Sequence, residues 1–258
     1  MNNISNYISE KLHIGKNIQT HKYFPKNKDE LTRAIDELIE QQDVDKGIDL
    51  TSIDTSSITD MSKLFYDMDR LQKVDVSTWD VSNVTTMADM FSNCNTIEID
   101  VSNWNVSNVT TMEDMFESCF RFNCDLSKWD VRKVKNINSM FYLCASFEGK
   151  GLHKWKLNKI KELYCVFWGC QKFNEDISNW DVSKVTNMFS LFRNCSSFNQ
   201  DLSKWYVRKC LNFDHMFLAC TNFNQDLSSW LTNDYADHKD MFNNCPKMRQ
   251  EYKPFFTY

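Results

Sequence analysis

The sequence predicts an α/β repeat solenoid: about eight copies of a unit of roughly 25 residues, each a short parallel strand followed by a short helix. Three observations predict it. Tryptophan recurs at Trp79, Trp104, Trp129, Trp155, Trp180, Trp205 and Trp230, in steps of 25 residues with one step of 26 between Trp129 and Trp155. Phenylalanine keeps the same interval at Phe65, Phe91, Phe116, Phe141, Phe167, Phe192, Phe217 and Phe242, which adds a first copy without the tryptophan. Aligned, the copies read Phe-Asn-x-Asp-Leu-Ser-x-Trp-Asp-Val-Ser-x-Val-Thr-x-Met-x-x-Met-Phe-x-x-Cys, as from Phe122 to Ser146 and from Phe198 to Asn222.

The strand comes first. Leu126-x-x-Trp129-x-Val131 matches the first apolar positions of leucine-rich-repeat spacing. It places a strand on Trp129-Asp130-Val131, with Trp129 and Val131 inward and Lys128, Asp130 and Arg132 on the solvent face. Downstream, Val109, Met112, Met115, Phe116 and Cys119 fall three and four apart, which predicts one face of a short α- or 3₁₀-helix. Thr110 with Glu113 has the form of a capping box at its start. One copy cannot bury its own core, so neighbours must supply the second wall.

Three regions follow. Residues 1–48 form an N-terminal segment and helical cap, in which Asn27 and Glu30 open a helix carrying Leu31, Ala34, Ile35, Leu38 and Ile39 on one face. Residues 49–245 form the solenoid. Residues 246–258, with Tyr252, Phe255, Phe256 and Tyr258, form a C-terminal cap. Ile4, Ile8 and Leu12 also stand at helical spacing.

A net charge of −5 and a pI near 5.6 give no global attraction to nucleic acid or anionic lipid. Three prolines and five glycines argue against disorder, and no apolar stretch approaches a membrane span. The first eleven residues have neither the basic nor the apolar region of a secretory signal, so a cytoplasmic chain is expected.

Two motifs are specific: Ser178-Asn179-Trp180-Asp181-Val182-Ser183-Lys184-Val185-Thr186-Asn187-Met188 and Cys195-Ser196-Ser197-Phe198-Asn199-Gln200-Asp201-Leu202-Ser203. Through them the chain resembles the BspA-like leucine-rich repeat proteins, the family of mycoplasma lipoprotein-associated repeats, over about residues 49–245. The lead-in Tyr23-Phe24-Pro25-Lys26-Asn27 and the ending Cys245-Pro246-Lys247-Met248 resemble the flanks of short, unanchored members. Members are often surface proteins implicated in adhesion. The resemblance implies a binding scaffold and carries over no ligand or catalytic residue.

Cys94, Cys119, Cys144, Cys170, Cys195, Cys220 and Cys245 share one position of the period. Stacked Cβ vectors suit a disulfide poorly, so buried reduced thiols are expected. With no C-x₂-C pair, zinc is not expected. Asp75, Asp100, Asp125, Asp176, Asp201 and Asp226 form another column, read as acceptors for turn amides rather than as calcium ligands. Asn123, Asn174, Asn199 and Asn224 predict a similar ladder. The five histidines lack a repeated partner and no glycine-rich loop exists, so no catalytic residue, metal or cofactor is assigned. Thiol catalysis would fall to Cys165 or Cys210, for which burial is the favoured reading.

Positive charge gathers in the middle copies, at Lys128, Arg132, Lys133 and Lys135, then Lys154, Lys156, Lys159 and Lys161, then Lys204, Arg208 and Lys209. Like charges stacked about 5 Å apart disfavour each other, so the cluster asks for a reason. The expected function is non-enzymatic capture of a protein partner on the strand face, through Lys128, Asp130, Arg132, Lys154, Lys156, Lys204, Tyr206 and Arg208. The alternative is an anionic polymer or nucleic acid on the same ridge.

Overall fold

The computed structural model describes residues 21–256. The expectations for Ile4, Ile8, Leu12 and Tyr258 lie outside them. Helix α1, Lys28–Gln41, opens where the Asn27 side chain accepts the Glu30 amide at 3.0 Å, while Glu30 takes the Lys26 amide at 2.9 Å. Its buried face is Leu31, Ala34, Ile35, Leu38 and Ile39. Two-residue strands β1 (Ile48–Asp49) and β2 (Val74–Asp75) then pair in parallel, Ile48 opposite Val74.

The expected α/β solenoid does not form. Among the described residues the regular structure is α1, β1, β2 and two 3₁₀ turns, Leu152–Lys154 and Gln250–Tyr252. No strand sits on Trp129–Val131 and no helix follows Thr110. Trp129 instead donates to Leu126 O at 3.1 Å and Val134 to Val131 O at 3.0 Å, so the chain folds back locally on both sides of the tryptophan.

The missing helix has a conformational cause. Asp114 and Ser118 hold φ of 51° and 57°, and the same two positions are left-handed in the other segments. A left-handed residue every fourth position stops an α-helix. It is instead what a β-turn with positive φ at its third residue requires. Met115 donates to Met112 O and Cys119 to Phe116 O, two successive turns, and this produces the three-and-four spacing that mimics a helix face.

Between the turns, alternate amides reach sideways. Met112, Asp114, Phe116 and Ser118 donate to Asn136, Asn138, Met140 and Tyr142 O of the next segment at 2.7 to 3.0 Å. Single-residue parallel bridges, such as Thr86 with Thr111 and Thr111 with Asn136, fix the register. The segments therefore lie above one another as tiers built of turns.

Inside, like residues stack. Phe65, Phe91, Phe116, Phe141, Phe167, Phe192, Phe217 and Phe242 form one column, with neighbouring ring centroids 5.1 to 6.0 Å apart. The seven periodic tryptophans are buried, and each of their indoles donates to a carbonyl of the tier before, as Trp180 does to Leu152 O at 2.9 Å. A buried indole N–H so placed avoids the cost of an unmade bond. Each thiol of the cysteine column likewise donates to a phenylalanine carbonyl one tier back, Cys195 to Phe167 O at 2.9 Å.

One tier carries the extra residue. Gly149 and Gly151, at φ of 90° and 94°, lead into the 3₁₀ turn Leu152–Lys154 before Trp155. A Cβ on Gly151 would lie 2.3 Å from Ser127 N, so only glycine passes there. In the same tier the bridge ladder skips: Thr111 pairs with Asn136 and Glu162 with Asn187, but Asn136 does not pair with Glu162.

At the far end, residues 246–256 fold over the last tier. Leu227 donates to Tyr252 O, the Thr232 hydroxyl donates to Phe255 O at 2.7 Å, and Phe256 packs against Phe213 and His238.

Candidate functional site

The exposed rim beside the tryptophans carries the sequence-predicted residues. Lys128, Lys154 and Lys204 occupy one position of successive or near-successive tiers, Asp130, Lys156 and Tyr206 the next outward position, and Arg132 and Arg208 a third. Because the tiers are about 4.8 Å apart, these side chains form a row on one side of the molecule. The row is presented by turns rather than by a strand.

Its charges are not equivalent. Arg132 and Asp130 close a bidentate pair, Nε to Oδ1 at 2.9 Å and Nη2 to Oδ2 at 2.6 Å, and so neutralise each other. The carboxyl of Asp130 is held below the usual range by Arg132. Lys128 donates to Asn103 Oδ1 in the tier before. Among the described residues no ion pair reaches Lys154, Lys156, Lys204 or Arg208, leaving their charge available.

Sequence reasoning found Tyr206, which is 53% exposed, but missed Leu231, which is 63% exposed. The Ser229 hydroxyl donates to Ser203 O and the Asn233 amide to Arg208 O, which sets Leu231 directly over Tyr206. Leu231 stands where other tiers carry Asp80, Asn105, Asp130, Lys156 and Asp181, and that departure was readable in the sequence. Tyr235, 89% exposed, follows at the same end.

The columns flagged for other chemistry hold the fold. Asp75, Asp100, Asp125, Asp176, Asp201 and Asp226 each accept the amide two residues on, at 2.8 to 3.0 Å. The Ser127 amide and hydroxyl, with Lys150, draw Asp125 down to about 2. Asn174 and Asn199 accept the amides of Asn199 and Asn224, both at 2.9 Å, as a ladder. All ten cysteines are free and buried, and burial pushes Cys165 and Cys210 up to about 12, away from the thiolate a nucleophile needs.

One left-handed column runs Asp89, Asp114, Ser139, Cys165, Ser190, His215 and Asp240. In it Ser190 Oγ and His215 Nδ1 are buried without a partner, as is the nearby Arg193 Nε, and His215 Nε2 stands 3.8 Å from Asp240. At its acidic end, burial, then Glu117, Glu113 and Asp89, raises Asp114 to about 6. No group of His, Cys, Asp and Glu among the described residues is arranged to hold a metal ion, and no helix there is long and apolar enough to cross a membrane.

No curated protein and no solved structure matches the chain. One family model matches it twice, over residues 33–151 and again over 144–255, the span of the stacked tiers. The chain belongs to the family described as Mycoplasma protein of unknown function, DUF285.

Proposed function

We propose that the chain is a non-enzymatic interaction module that holds a protein partner on the exposed row from Lys128 to Leu231. One observation carries this reading: Tyr206 and Leu231 lie exposed on adjacent tiers, flanked by Lys204 and Arg208, which close no ion pair among the described residues. Aromatic and arginine side chains are enriched at the centres of protein interfaces, and an apolar pair rimmed by charge has that composition. The backbone beneath is tied to the tier before by side chains, the Trp205 and Trp230 indoles donating to Ile177 and Leu202 O and Ser229 and Asn233 to Ser203 and Arg208 O, so little order has to be gained on binding. The resemblance to BspA-like surface proteins supports the same class of function.

The test is a photo-crosslinking residue at position 206, with a control at Thr221 in another column. Proteins crosslinked at 206, absent at 221 and lost in a Leu231→Ser/Arg208→Glu background would support the row. The same proteins captured from both positions would sink it. Capture dominated by nucleic acid, falling steeply with salt, would show the partner to be an anionic polymer.

A further inference from the structure

Three ladders run unbroken through the tiers, beginning at the amides of Lys63, Phe65 and Asp67. The fourth does not. Met61, Met87 and Met112 donate to Thr86, Thr111 and Asn136 O, and Leu163 resumes with Asn187 O, but Ile137 has no bond to Glu162 O. The return ladder breaks at the same place. Thr110 donates to Thr85 O and Lys135 to Thr110 O, then nothing joins Lys161 to Lys135 O before Thr186 meets Lys161 O. Two amides and two carbonyls that elsewhere bind each other face a gap.

An open cleft of about 640 Å³ lies at this gap. Its rim carries Lys135, Lys159, Lys161 and Lys184, with Asn138 and Glu162 between them. Glu162 is its one acid, and Asn138 Nδ2 donates to it at 3.3 Å. None of the four lysines has an ion pair among the described residues; Lys184 reaches only Asn158 O at 3.4 Å. At the position of Lys135 and Lys161, neighbouring tiers carry the neutral Thr85, Thr110 and Thr186. Stacked like charges disfavour the fold, so these lysines stand where packing alone selects threonine.

We propose that this gap binds a compact, multiply charged phosphate compound, at a site separate from the partner-binding row. The four ammonium groups supply point charges for phosphate oxygens. The unpaired Ile137 and Lys161 amides supply directed donors, while the free carbonyls suit a protonated phosphate or a hydroxyl. The volume falls in the range of small-molecule sites, about 300 to 1,000 Å³, and exceeds what one inorganic ion fills. Thr110 and Thr186 bound the basic stretch within about 15 Å at the tier spacing, which matches a di- or triphosphate better than a polymer.

The full chain is titrated calorimetrically with sodium tripolyphosphate, orthophosphate and a long heparin. The cleft variant Lys135→Thr/Lys161→Thr installs the residue of neighbouring tiers and keeps the fold; Lys159→Gln is a second, single change. The control is Lys128→Gln/Lys154→Gln on the other row. One tripolyphosphate per chain is expected, with orthophosphate at least about tenfold weaker. The cleft variants lose at least about tenfold in affinity, the control binds as wild type, and the double variant melts no lower than wild type. Absence of tripolyphosphate binding, or equal loss in control and cleft variants, would overturn the site. Heparin bound more tightly than tripolyphosphate and weakened as much by the control would assign the charge to a polymer instead.

Discussion

Asp114→Asn should stabilise the protein at neutral pH and flatten its pH dependence. Asp114 sits at a left-handed position with φ of 51°, where Asn is as well tolerated as Asp, so the backbone is unaffected. Burial is the main reason its carboxyl titrates near 6, followed by Glu117, Glu113 and Asp89, and a bond to Ser139 only partly offsets them. A raised folded pKa means a contribution fully present below the unfolded value of about 4 and lost as pH climbs through about 6. Two units at 1.36 kcal/mol each set a ceiling of about 3 kcal/mol, and partial access of water reduces this to about 1 to 2 kcal/mol. Urea unfolding at intervals from about pH 4 to pH 8 reads the difference directly. Wild type and variant should converge near pH 4 and separate in favour of the variant by pH 7. A variant no more stable at pH 7, or an offset independent of pH, would refute the reasoning.

Gly151→Ala adds a methyl 2.3 Å from Ser127 N at φ of 94°, and a loss of about 3 kcal/mol is expected. Gly169→Ala, whose new methyl meets the movable tip of Leu143 and whose column elsewhere holds Asn, Ser and Ala, should lose only about 1 kcal/mol; equal losses in denaturant melts would contradict the account. Trp180→Phe removes the 2.9 Å bond to Leu152 O and leaves a void, at a cost of about 2 kcal/mol. An unchanged melting temperature would show that the indole is not wedged between tiers. Burial raises the thiols, to about 12 for Cys94 and about 11 for Cys245, so at pH 8 a thiol reagent should react with none of the ten until guanidinium is added. Prompt labelling of the native chain would place a cysteine at the surface.

Much of this architecture could be read from the residues, and the failures have physical causes. Asn27, Glu30 and the apolar spacing after them announced α1 because capping and amphipathicity are local properties. The tryptophan, phenylalanine and cysteine columns pointed inward because a period that places one residue type at one height also stacks it. The misreading lay in Met112, Met115, Phe116 and Cys119, whose three-and-four spacing fits two β-turns as well as one helix face. What distinguishes the two is the left-handed residue within each turn. In the first turn that position varies through Lys63, Asp89, Ser139, Cys165 and His215 and carries no consistent signal, whereas in the second Asp67, Asn93, Ser118, Gly169, Asn194 and Asn244 are turn-forming types that mark it in the sequence. The strand assigned to Trp129–Val131 failed because the Trp129 amide and the Val131 carbonyl close local turns, a choice hydrophobic pattern does not encode. On the candidate site, Tyr206 was legible as an aromatic in a polar column, and Leu231 was equally legible but lay at the edge of the period. The gap between Asn136 and Glu162 required the hydrogen bonds themselves.

The inter-tier bonds also give the molecule an electrical axis. In an ordinary sheet N–H groups alternate in direction and their dipoles cancel. Here most alternate groups are consumed inside turns, and the amides of Met112, Asp114, Phe116 and Ser118, with their equivalents along the chain, point toward the C-terminal tiers and outnumber the oppositely directed return ladder of Thr110, Lys135 and Thr186. Aligned peptide dipoles sum as they do in a helix, but with the opposite sense, positive where the chain ends. An anion approaching along the column therefore meets an attractive field at the last tier and a repulsive one at the first, so the two ends of this stack are not interchangeable toward charged surroundings.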